Sequence, residues 1–141
     1  MKTQTEIVIE TIQFYLADPA ARRAKTRGGS ACHYAMPLEP SCRCAVGRCM
    51  TEKAIKEFGS YLGGVNQLIE AHGPLDTLLR DEYRGHSQEF WFSLQVLHDE
   101  DCYWTAGDAA TLRGKLVRRC FPEALDSCIE LGLVANSDIA E

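Results

Sequence analysis

Cys44 and His98 are the residues of this chain whose types could do covalent chemistry. Cys44 sits in Arg43-Cys44-Ala45-Val46-Gly47, and the residues after it predict a helix whose N-terminus lies beside the thiol. Backbone N–H groups and the helix dipole favour a thiolate there, the form of cysteine that attacks electrophiles. His98, followed by Asp99, is a base of the kind that activates such a thiol. Consecutive helical positions turn away from each other, so His98 and Asp99 are not expected to orient one another as in a catalytic triad. A core cysteine and a hydrogen-bonded histidine explain the same residues without any reaction.

Metal binding is the second chemistry. Cys42, Cys44 and Cys49 are close in sequence, and His98 and Cys102 stand four apart on one predicted helix face. Cys42, Cys44, His98 and Cys102 would form a four-ligand zinc site, yet the paired Cys-x2-Cys knuckles of familiar zinc domains are missing. The expectation is therefore no cofactor, with zinc as the alternative. The N-terminus does not resemble a signal peptide and no apolar run is long enough to cross a bilayer, so the reading is cytoplasmic, with the seven cysteines as free thiols.

Two basic clusters, Arg22-Arg23-Ala24-Lys25-Thr26-Arg27 and Arg113, Lys115, Arg118, Arg119, stand in a chain of net charge -5. That balance argues against a general nucleic-acid binder and leaves the clusters as local anion sites or solvated faces. Aromatic residues group in Phe90-Trp91-Phe92 and Tyr103-Trp104. Successive helical residues turn by about 100°, so Phe90, Trp91 and Phe92 cannot share one face. At least one must meet another element, a ligand or a partner. The binding candidates are accordingly Arg22, Arg23, Lys25, Arg27, Phe92, Tyr103 and Trp104. No phosphate loop, dinucleotide fingerprint, nucleophile elbow or H-E-x-x-H occurs.

The elements that must position these residues form, on this reading, one domain over 1–141. It is mainly α with one small β-hairpin (α+β), a compact helical domain of ordinary length. Thr3 and Glu6 form a capping box for a first helix to about Asp18, after which Pro19 can open a further turn. A hairpin spans about 31–44. Val46, Met50, Ala54 and Phe58 recur every four residues as one helical stripe. Ser87 opens the central helix, with Phe90, Trp91, Leu94, Leu97 and His98 on an apolar face that Cys102 would extend, and Trp91, Leu94 and Val46 share a core. Asp108 opens a later helix, Pro122 the last one, and the tail from about 134 to 141 frays.

The pattern resembles that of a group of short, uncharacterised proteins of phages, prophages and bacteria. It runs Cys-x-Tyr, a turn, Lys/Arg-Cys-Ala-Val-Gly, a glycine-bearing middle, then Leu-Gln-x-x-His-Asp and a Trp-containing helical end. Here it falls on Cys32, Tyr34, Arg43 to Gly47, Leu94-Gln95 and His98-Asp99, with Trp104 as the later tryptophan. The group often continues with a further cysteine after the glycine, where this chain has Arg48 and then Cys49. The resemblance implies a small accessory protein acting on a host component and supplies no catalytic residues. The resulting expectation is a non-catalytic binding protein that inhibits a host protein or complex, such as a defence complex, without a membrane partner. The alternatives are a small-ligand sponge, a cysteine enzyme using Cys44 and His98, and a zinc-stabilised domain contacting nucleic acid.

Overall fold

A computed structural model of the chain describes residues 1–23, 35–36, 39–58 and 65–136. It is mainly helical. α1, Gln4–Ala17, starts at the expected capping box: the Glu6 N–H donates to Thr3 Oγ1 at 3.1 Å and the Thr3 N–H to Glu6 Oε1 at 2.8 Å. It buries Ile7, Val8, Thr11, Ile12 and Tyr15, positions one turn apart on one face. Pro19 opens α2, Pro19–Arg22. Two short stretches, β1 (Ala35–Met36) and β2 (Glu39–Arg43), run antiparallel, with Ala35 opposite Arg43 and Met36 opposite Glu39. Of the hairpin expected over 31–44, residues 31–34 and 37–38 lie outside the described set, and the fold class rests on the helices.

The segment after Cys44 corrects the single helical stripe. Ala45 and Val46 form a turn, Gly47–Cys49 a 3-10 turn, and Met50 is extended in an isolated antiparallel bridge with Leu79. The Thr51 N–H donates to the Leu78 carbonyl at 3.0 Å and the Arg80 N–H to the Cys49 carbonyl at 2.9 Å. Only then does α3, Glu52–Phe58, begin, with Thr51 Oγ1 accepting from the Ala54 N–H at 3.1 Å. Cys44 therefore lies eight residues before the helix that was expected to start beside it, with this bridge between them.

α4, Val65–His72, stops at Gly73, whose φ of +90° is the left-handed conformation that glycine tolerates. α5, Gln88–Asp99, is capped by Ser87, whose Oγ accepts from the Phe90 N–H at 3.1 Å. It ends before Cys102, which opens the separate α6, Cys102–Thr105, and is exposed, so Cys102 does not extend the buried face of α5. α7, Ala109–Cys120, leads through the Pro122–Ala124 turn into α8, Leu125–Glu130. The tail past α8 does not fray at 134. Leu133 and Val134 are buried, and the Ala135 N–H donates to the Ala110 carbonyl at 3.0 Å. Gly114 permits that approach, since a Cβ there would stand 3.0 Å from the Ala135 carbonyl oxygen. Residues 137–141 lie outside the described set.

Trp91, Leu94 and Val46 belong to one core, together with Tyr15, Met50 and Leu116. Among the described residues no helix is long and apolar enough to cross a membrane.

Candidate functional site

The last two turns of α5 hold a buried polar cluster around the residues singled out for chemistry. Gln95 faces inward, its Oε1 accepting from the Val46 N–H at 3.3 Å and its Nε2 donating to Asp99 Oδ1 at 3.2 Å. His98 is fully buried, with Nδ1 at 2.7 Å from the same Asp99 oxygen. An ionised carboxylate can only accept, so Nδ1 is the donor. This corrects the expectation that neighbouring helical positions keep the two apart: Asp99 is the final residue of α5, and its side chain turns back along the helix to reach Gln95 and His98. The Tyr15 ring meets His98 edge-on at 5.1 Å and Trp104 at 5.7 Å, while the Tyr15 hydroxyl donates to the Arg43 carbonyl.

Arg23 closes the end of this helix. Its Nε donates to the His98 carbonyl at 2.8 Å, its Nη2 to the Asp99 carbonyl at 3.0 Å, and its Nη1 pairs with Asp101 Oδ1 at 2.9 Å. Final-turn carbonyls lack partners within the helix, and a cation there also complements the dipole. Arg22 serves α1 in the same way, donating to the Phe14 carbonyl at 3.1 Å with its guanidinium 4.6 Å from the Phe14 ring. Two of the four arginine and lysine binding candidates are thus engaged inside the fold, and Lys25 and Arg27 lie outside the described residues.

Cys44 is 1 % exposed and accepts at Sγ from the Gly47 N–H at 3.3 Å. Burial pushes its thiol up to about 12, and the Asp99 charge adds to the rise against the help of Gly47 and Gln95. The thiol stays protonated near neutral pH, the opposite of an activated nucleophile. Cys49 is alike: burial raises it to about 12, partly offset by Arg48, and its Sγ donates to the Ala45 carbonyl at 3.5 Å. Among the described residues no group of three or more His, Cys, Asp or Glu could hold a metal ion. Of the proposed zinc ligands, Cys44 and His98 are buried, Cys102 is exposed, and the Cys42 side chain lies outside the described set.

A second polar centre gathers around Glu10. Arg48, at the position where the resembling pattern carries cysteine, pairs through Nη1 with Glu10 Oε1 and donates through Nη2 to Thr11 Oγ1 at 2.8 Å. Lys2 pairs with Glu10 Oε2 at 2.8 Å, and the Tyr83 hydroxyl donates to Glu10. Burial opposes the Glu10 charge, but hydrogen bonds from Lys2, Tyr83 and Arg48 outweigh it and hold the carboxyl down at about 2. Contacts of such separation carry no local sequence signal.

The aromatic candidates divide. Trp104 is buried and donates from Nε1 to the Leu97 carbonyl at 2.8 Å, so it serves the core and not a surface. Tyr103 is half-buried against that core, with its carbonyl accepting from Arg113 Nη1 at 2.6 Å. Arg113 is itself buried and also holds the Leu133 carbonyl at 3.0 Å. Phe92 alone of the three is 50 % exposed. It lines a groove of about 390 Å³ with Asn66 of α4 and Gln88, Glu89 and Ser93 of α5. Comparison with family models, with curated proteins and with solved structures finds no match in any of the three.

Proposed function

We propose that this chain is a non-catalytic accessory protein that works by contact, occupying a surface of a host protein or protein complex. The observation that carries the reading is the enclosure of Cys44 and His98: a protonated thiol and a histidine committed to Asp99 serve packing rather than turnover. The half-exposed Phe92 supplies an anchor of the type enriched at interfaces. The phage and prophage setting, and inhibition of a host defence complex as the outcome, rest on the pattern Arg43-Cys44-Ala45-Val46-Gly47 with Leu94-Gln95 and His98-Asp99. A small-ligand sponge is less well supported, because sequestration buries most of a ligand's surface and the groove at Phe92 is rimmed by the exposed Asn66, Gln88 and Glu89.

The test uses the tagged chain as bait in a bacterial lysate, followed by titration of whatever activity the captured complex carries. Binding predicts saturation near one equivalent and an unchanged effect with Cys44→Ser, provided the variant keeps its melting profile. Action far below equivalence, abolished by Cys44→Ser in a folded protein, overturns the reading in favour of the cysteine enzyme. A retained nucleotide or metabolite in place of a complex overturns it in favour of sequestration.

A further inference from the structure

We infer that the groove between α4 and α5 is the docking site, and that its occupant is a short cationic amphipathic segment of a partner protein. This inference rests on the binding reading above and names the surface that carries it. Phe92 makes no ring contact with any described residue, in contrast to its neighbours Phe90 and Trp91, which meet each other edge-on and both contact the His86 ring. A half-exposed aromatic ring beside a groove offers apolar area that a partner's side chain can bury. Glu89 is the sole charged residue lining the groove and forms no ion pair with any described residue. Glu70 lies one turn beyond Asn66 on the same exposed stripe of α4.

Gln88 Nε2 donates to Asn66 Oδ1 and so links the first turns of the two helices at one end of the groove. The Phe92 ring beside Glu89, with Glu70 nearby on α4, neither carboxylate in an ion pair with a described residue, is complementary to an apolar anchor flanked by lysine or arginine, the pattern of a helix laid in a groove. The same carboxylates repel a phosphate backbone, which sets nucleic acid aside as the occupant.

The probe is a displayed library of random peptides of about 15 residues, long enough for about four helical turns, selected against the full chain. The expected result is enrichment of sequences with one or two apolar anchors bordered by lysine or arginine. Their affinity should fall about tenfold or more with Phe92→Ala, as at an interface hot spot. Glu89→Lys should weaken them again and flatten their salt dependence. Equal melting profiles for both variants and the parent exclude loss of fold as the cause. No enrichment, enrichment of acidic or uncharged peptides, or cationic peptides that bind Phe92→Ala as well as the parent overturns the inference. If the lysate target is captured stoichiometrically and Phe92→Ala leaves that capture intact, the binding function stands and this site is wrong.

Discussion

The two faces of α5 differ in what they are committed to. On the inner face, Trp91, Leu94, Gln95 and His98 are buried, and the polar ones are tied to Val46 and Asp99. On the outer face, one residue along from Trp91, Phe92 stands half in water and Glu89 has no ionic partner among the described residues. The residues that look most chemical in the sequence lie on the side where chemistry has no access. The residues with free valence for a partner are those that would pass as surface. A polar group costs stability when buried without a partner, so a buried polar cluster with its bonds made is as much a structural device as an apolar one.

That contrast is broken first through Trp91. It is 1 % exposed, and its Nε1 has no hydrogen-bond partner among the described residues. Trp91→Ala should lower stability by about 3–5 kcal/mol in denaturant unfolding. Trp91→Phe should cost under about 1.5 kcal/mol, because the smaller ring also removes the orphaned donor. A near-neutral Trp91→Ala would place the inner face at the surface.

Arg23→Ala is next. It strips the donors from the His98 and Asp99 carbonyls at the end of α5, an expected loss of about 2 kcal/mol, read in the same unfolding assay. An unchanged midpoint together with a loss of phosphate or anion binding would return Arg23 to the list of surface contacts.

The Glu10 centre gives a pH signature. Its carboxyl is held down at about 2 against an ordinary value of 4.5, so its stabilisation is complete above about pH 4.5 and is lost as the pH falls toward 2. With solvent screening of a partly exposed group, the loss is about 1–2 kcal/mol. Unfolding midpoints of the parent and Glu10→Gln should converge over that range; parallel curves would mean that the Lys2, Arg48 and Tyr83 contacts contribute nothing.

The smallest effect on the fold belongs to the outer face. Phe92→Ala should change stability by under about 0.5 kcal/mol while removing the capture of a partner. A large fall in melting temperature would show that Phe92 is a core residue after all.

Much of this division follows from local pattern. The Thr3–Glu6 box, the apolar spacing of α1 and α5 and the Ser87 cap act within a few residues, and the α5 spacing places Trp91 and Leu94 in the core. After Cys44 the structure departs from the local pattern: Val46, Met50, Ala54 and Phe58 satisfy a helical period, while Met50 is drawn into an extended bridge by Leu79, far along the chain. Long-range pairing overrides local periodicity in that way. Arg23 looks like a surface cation in the sequence because its partners, the carbonyls ending α5, lie 75 and 76 residues away. Phe92 stands among the binding candidates with Tyr103 and Trp104 because three consecutive aromatics cannot share a face; which ring stays outside depends on where α4 packs, and no spacing within α5 encodes that.

The central claim, that Cys44 and His98 are structural, is tested most directly by alkylation of the native protein with iodoacetamide, followed residue by residue by mass spectrometry. The account predicts that exposed Cys102 is modified promptly while Cys44 reacts only as the chain unfolds, at the rate seen for the buried Cys128. Modification of Cys44 in the folded protein as fast as or faster than Cys102, with a pH midpoint near or below neutrality, would contradict it and identify an open, activated thiol.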